Sequence, residues 1–345
     1  MNKNSALTFA PALWLLPWLQ GPPADLPRTP ISWEGLAARM EADVKSGFSG
    51  AVLLVRGGEV VHEQGYGLAN REQEIPVRPD TIFAIGSTPI DFTRAGTLLL
   101  VQEEFVALED ELGGFFPEAP ADKRAITLGQ LLGGRSGLVD FVDVPTDRDP
   151  DHAWIERAEF LRRVFATQLL FAPGKGQEHS HAAFGVLAAV IEEVSGKSYS
   201  EFCRERLFAP AGMTDTGFFG AAIPAERLAL GYGVKKDGET NAPPFWGKTS
   251  WLVMGSGGQT STLRDLRRWH AALYGGKILD AERLRLYFPM PGAFLNGGDM
   301  YGFEIYYTQG EKEQMLVVSN SAENRERRRA IEALALDLAD LVRSK

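Results

Sequence analysis

The spacing of apolar residues passes from a short helical stretch through strands to a long helical middle, and then back to strands. From Ile31 to Gly47, residues Trp33, Leu36, Ala37, Met40 and Val44 share one stripe, which predicts an amphipathic helix ended by Gly47. Ala51 to Arg56 and Glu59 to Gln64 are β-rich runs separated by Gly57 and Gly58, a dipeptide that supplies the positive φ angles of a tight hairpin. From Ser87 to Leu279 the helical period dominates, with helices predicted over 91–104, 127–133, 153–168, 181–196, 199–208 and 263–274. Tyr301 to Tyr307 and Gln314 to Ser319 read as strands. Glu323 to Val342 reads as a closing helix with Ile331, Leu334, Leu336, Leu338 and Leu341 inward.

Strands, then helices, then strands have a simple solution. The terminal strands join in one antiparallel sheet flanked by helices, and a mostly helical region of about 87–280 is inserted between them. The expected class is α/β in an α+β arrangement, with one domain over residues 30–345. Hydrophobic residues make up 44% of the 345, enough for a sizeable core. The formal charge of −9 argues against a nucleic-acid partner, because the one arginine cluster, Arg325 to Arg329, fits the solvated face of a terminal helix. Residues 1–22 hold one lysine and an apolar run broken by prolines, which reads as an export signal and leaves no integral membrane span once removed. The single Cys203 falls in a helical pattern and reads as a small buried residue.

Candidate chemistry centres on GSTPID, Gly86 to Asp91. The segment GFSGAVLLVRGGEVVHEQGYGLANREQEIPVRPDTIFAIGS is followed in order by ITLGQLLGGRSGLVDF, by FAPGKGQEHSHAAFGVLAAVIEEVSGKSYSEFCRERLFAPAGMTDTGF and by GSGGQTSTLRDLRRW. Together these blocks resemble the serine beta-lactamase and penicillin-binding-protein superfamily, particularly class C beta-lactamases and related esterases. The resemblance implies a serine of an SxxK motif as nucleophile, a lysine and the tyrosine of YxN as proton relay, and a late strand carrying KTG or HxG that supplies an oxyanion donor.

The chain departs from that pattern in three places. Ser87 stands at the nucleophile position, but Ile90 replaces the lysine, and an alkyl chain cannot accept a proton. Thr88, Pro89 and Asp91 read instead as N-cap, first helical position and a carboxylate in the first turn. YxN becomes His179-Ser180-His181, so an imidazole occupies the tyrosine position: His179 is a candidate base in a Ser87–His179 dyad, with His181 as a polar partner, and no orienting group is identifiable. In an extended segment the two histidines would face one side and could share a metal. Glu178 would point away, though, and Asp151 and His152 lie in an unplaced loop, so no metal and no cofactor are expected. No KTG or HxG strand is read between Tyr301 and Asn320, and Lys248-Thr249-Ser250 is out of order and reads as surface loop. The expectation is a hydrolase homologue lacking the family's acyl transfer, with a relict cleft for a small acyl or peptide-like ligand. The alternative is a weak esterase or amidase using Ser87 and His179.

Overall fold

In the computed structural model, the residues described are 26, 28–147, 153–233, 241–287 and 293–344. The expected export signal at 1–22 lies outside them, as do Asp151 and His152. The predicted hairpin forms as β1 (Gly50–Arg56) and β2 (Glu59–Tyr66), with Gly57 and Gly58 both at positive φ. The late strands are β9 (Phe303–Thr308) and β10 (Gln314–Ser319), and they are preceded by one the apolar pattern does not show, β8 (Phe294–Met300). These five form one antiparallel sheet in the order β2-β1-β10-β9-β8. β1 joins the two ends of the chain, with Gly50 opposite Ser319 and Val55 opposite Gln314.

Side chains alternate across β1, so a strand buried on both faces is apolar throughout. Val52, Leu54, Met315 and Val317 face α1 (Leu36–Lys45) and the closing helix (Arg325–Arg343), packing on Met40, Leu334 and Leu338. Ala51, Leu53, Val55, Leu316 and Val318 face the opposite way, into the larger core built with the inserted region. Asp337 of the closing helix is buried and ties down the chain before α1 through Arg28 Nε at 2.6 Å and α1 itself through Arg39 Nη1 at 3.2 Å.

The inserted region is helical with small strands between. Its helices are α2 (Pro89–Gln102), α3 (Leu112–Phe115), α4 (Leu128–Leu132), α5 (Arg157–Ala166), α6 (His181–Ser195), α7 (Tyr199–Phe202), α8 (Ala209–Ala211), α9 (Leu263–Tyr274) and α10 (Ala281–Tyr287), and the closing helix is α11. Between α7 and α8, Cys203–Phe208 winds as a π-helical turn. Cys203 is buried there, with its thiol pushed up to about 12 by that burial. Leu68–Asn70 (β3) pairs with Ile75–Pro76 (β4), and Phe83–Ala84 (β5), Gly217–Phe218 (β6) and Gln259–Ser261 (β7) form a second small sheet in the order β5-β7-β6.

α2 is the axis of this region: every residue from Pro89 to Leu100 is buried, and Phe92 meets Phe208 and Trp269 edge-on at 5.0 Å. Thr88 occupies the N-cap position but makes no side-chain cap bond, so the turn is closed by backbone, with Asp91 N–H donating to Thr88 O at 2.9 Å. Asp91 does more than favour a helix dipole. Its Oδ2 accepts from Tyr307 Oη at 2.7 Å and Gln309 Nε2 at 3.3 Å, locking the start of α2 to β9. In the Lys248-Thr249-Ser250 segment the surface-loop reading holds for the exposed Lys248 and fails for the other two residues. Thr249 and Ser250 are buried because their hydroxyls satisfy backbone groups, Thr249 Oγ1 accepting from Phe219 N–H and Ser250 Oγ from Ile155 N–H.

Candidate active site

Ser87 lies on a sharp turn between β5 and α2. Gly86 has φ +53°, and a Cβ there would stand 2.2 Å from the Gly297 carbonyl oxygen, so this close approach requires glycine. No strand is described between β9 and β10, in the Tyr301–Asn320 span where no KTG or HxG strand is read; the neighbour is β8, which lies before that span. Its Asn296-Gly297-Gly298 run passes directly over Ser87, and a Cβ on Gly298 would lie 3.5 Å from Ser87 Oγ. Two consecutive glycines and an asparagine have low strand propensity, which is why the apolar pattern does not register this edge strand. KTG or HxG is absent, but a strand wall beside the serine is present.

The imidazole at Ser87 belongs to His181. Ser87 Oγ lies 3.0 Å from His181 Nε2, and His181 Nδ1 lies 2.9 Å from Asp140 Oδ1. His179, the expected base, stands one ring further out, with its Nε2 2.9 Å from His181 Nδ1 and 3.8 Å from Asp140 Oδ1. The exchange of roles follows from the helix start. Ser180 caps α6, its Oγ accepting from Ala183 N–H at 2.9 Å and donating to Val139 O at 2.6 Å, so His181 is the first helical residue and no longer part of an extended run.

Asp140 is the orienting group that sequence reasoning missed. Its Oδ1 accepts the backbone N–H of His181 at 2.9 Å as well as facing the ring, so one oxygen satisfies a helix-terminal amide and fixes the imidazole. The neighbouring Phe141 stacks on the His181 ring at 4.3 Å and 19°. Partial burial raises the Asp140 pKa, but the hydrogen bonds and charge of His181 outweigh it and hold the carboxyl below the usual carboxylate range. His179 is pushed down to about 3, first by burial and then by the charge of His181, against the opposing pull of Asp140. It is therefore neutral at physiological pH. Burial also raises the Asp91 carboxyl, against the neighbouring Arg94.

With the proton on Nδ1, donated to Asp140, His181 Nε2 presents a lone pair to the Ser87 hydroxyl, the arrangement of a nucleophile, a general base and an orienting carboxylate. Ile90 is buried in the core and offers no proton chemistry. Charge stabilisation at the serine is the less developed part. The Ser87 N–H donates to Gly297 O at 2.5 Å, and the Gly298 N–H is held by Asn296 Oδ1 at 2.7 Å, so both of these amides are engaged within the chain.

Residues 36–339 match the family described as Beta-lactamase. Among curated relatives, penicillin-binding protein 4* of Bacillus subtilis is 28% identical over 80% of this chain and 63% of its own length. Esterase EstB of Burkholderia gladioli is 32% identical over 57% of this chain and 55% of its own. The chain thus spans less than two thirds of the length of these two relatives. Of solved structures, a penicillin-binding protein from Bacillus halodurans superposes with a TM-score of 0.70 at 25% identity, covering 86% of this chain and 98% of that one. The D-amino acid amidase of Ochrobactrum anthropi shares the fold at a TM-score of 0.70 and 24% identity, over 90% and 98% of the two chains.

Proposed function

Because this chain belongs to the beta-lactamase family of serine hydrolases and homologues, we propose that it is an acyl hydrolase in which His181 and Asp140 stand in for the family's lysine and tyrosine. The observation that carries this reading is the Ser87 Oγ to His181 Nε2 distance of 3.0 Å, backed by Asp140 at 2.9 Å. In the proposed cycle Ser87 Oγ attacks an ester or amide carbonyl while His181 Nε2 takes its proton. The Asp140 carboxylate stabilises the resulting imidazolium. His181 returns the proton to the leaving alcohol or amine, then deprotonates a water that attacks the acyl-serine carbonyl, and passes that proton back to Ser87 Oγ as the acid departs. The Ser87 N–H is the natural oxyanion donor, which requires the Gly297 carbonyl to withdraw as substrate enters.

The substrate class proposed is a small ester or peptide-like acyl compound, in keeping with a partly exposed Ser87 beside the half-exposed Asp140. Export belongs to the same reading. It rests on the apolar segment at 1–22 and on relatives named penicillin-binding proteins; among the described residues no helix is long and apolar enough to cross a membrane. A second reading, a ligand-binding homologue without turnover, is favoured by one observation: Gly297 O already occupies the Ser87 amide. A fluorophosphonate probe separates the two. Hydrolysis predicts a single stoichiometric adduct on Ser87 by intact mass, abolished by Ser87→Ala and by His181→Ala. A wild-type protein that stays unlabelled at saturating probe overturns the hydrolase and leaves the binding module.

A further inference from the structure

Three ligand-type atoms converge on the side of His181 that faces away from Ser87. They are His181 Nδ1, His179 Nε2 and Asp140 Oδ1, and all lie within 4.8 Å of one another. The edges of this triangle are 2.9, 2.9 and 3.8 Å. A tetrahedral zinc ion with bonds of about 2.0–2.1 Å has ligand atoms about 3.3 Å apart, so one point about 2 Å from all three atoms exists after shifts of a few tenths of an ångström. Two imidazole nitrogens and one carboxylate suit a borderline divalent ion, zinc above magnesium or calcium. Asp140 has half its side chain in solvent, which gives the ion an entry path and its fourth position a water.

We infer that Asp140, His179 and His181 form a zinc-type divalent metal site whose occupancy switches off the general base at Ser87. The inference rests on the proposed role of His181 for the switch, though not for the binding. Coordination uses the Nδ1 lone pair of His181, so the ring's single proton must sit on Nε2. There it donates to Ser87 Oγ and cannot accept the serine proton, while Asp140 is diverted from the ring to the metal. Because the ion lies across the ring from the hydroxyl, it cannot serve as a Lewis acid for an acyl group on Ser87. Metal binding and turnover are mutually exclusive states of one imidazole.

The test uses the full chain without a polyhistidine tag, stripped with chelator and titrated with Zn²⁺ by calorimetry, with Co²⁺ absorption as a report of coordination geometry. The expected result is one ion per chain, tetrahedral Co²⁺ bands, and at least about a tenfold loss of affinity in both His179→Gln and Asp140→Asn, with unchanged circular dichroism. Ser87→Ala is titrated in parallel. It should bind zinc as the wild type does, which keeps metal binding measurable even if the protein proves not to be a hydrolase. With a short-chain nitrophenyl ester, zinc should abolish wild-type turnover and chelator restore it, while residual turnover in His179→Gln should resist zinc. Absence of stoichiometric zinc at micromolar concentrations, or binding that survives both ligand substitutions, overturns the site; zinc bound at this site without loss of turnover overturns the switch.

Discussion

Asp140→Asn isolates the electrostatic part of the proposed mechanism. A single oxygen, Oδ1, accepts both the backbone N–H of His181 and the ring Nδ1–H, each at 2.9 Å. In the variant the backbone donor demands an oxygen at that place, so the amide keeps its carbonyl towards His181 and its nitrogen away. Ring tautomer and orientation are retained, and what is lost is the negative charge beside the imidazolium. At 2.9 Å that interaction is worth about 1.4 kcal/mol in a water-like medium and about 6 kcal/mol at an effective dielectric of 20. Half the Asp140 side chain is in solvent, which screens the pair towards the lower value. A loss of about 2–3 kcal/mol in transition-state stabilisation corresponds to a fall in kcat/KM of about 30- to 150-fold. The assay is steady-state hydrolysis of a nitrophenyl ester by metal-free protein, with Ser87→Ala as the zero. A change of less than threefold would refute the role of Asp140, and hydrolysis surviving Ser87→Ala would refute the whole assignment.

Restoring the family lysine should not restore the family mechanism: Ile90 is 5% exposed in the main core, so Ile90→Lys buries an ammonium and should lower unfolding free energy by about 3 kcal/mol without raising turnover, as read by urea denaturation and ester hydrolysis. His270 is fully buried and its pKa is pushed down to about 3 by that burial and by Arg267. The unfolded chain therefore binds the extra proton, and its contribution is fully present above pH 6.5 and declines by about 1.4 kcal/mol per pH unit below it, until about pH 3. Urea unfolding at pH 7 and pH 5 should show about 2 kcal/mol more acid loss in the wild type than in His270→Gln. Gly86→Ala places a methyl 2.2 Å from Gly297 O at a φ of +53°, so it should drive β8 from Ser87, costing at least about 1 kcal/mol and most of the ester hydrolysis.

Much of the frame was legible in local pattern. The Gly57-Gly58 hairpin, α2, α4, α6, α9 and α11 all fall within a few residues of the spans that apolar spacing predicts, because each buries a face of regular period. Ser87 was placed by motif order. The strand β8 was not legible, since Asn296, Gly297 and Gly298 owe their extended form to pairing with β9 and to the close approach of Ser87. Nor was Asp140, an acid in an apolar run, 41 residues from the imidazole it orients. The choice between His179 and His181 turned on one hydroxyl: Ser180 as a helix cap folds the segment so that the second histidine, and not the first, reaches the serine.

The pairing of β1 with β10 has a consequence for how the molecule comes into being. β1 is synthesised long before its inner partner β10 and before α11, which covers one of its faces. Until β10 is made, β1 is an apolar strand with one open edge, which is the profile of an aggregation-prone segment. β8, which walls the serine, depends on the same late sheet. Nascent fragments would carry the nucleophile without its strand wall, so chemical competence arrives only after β8, β9 and β10 have been made.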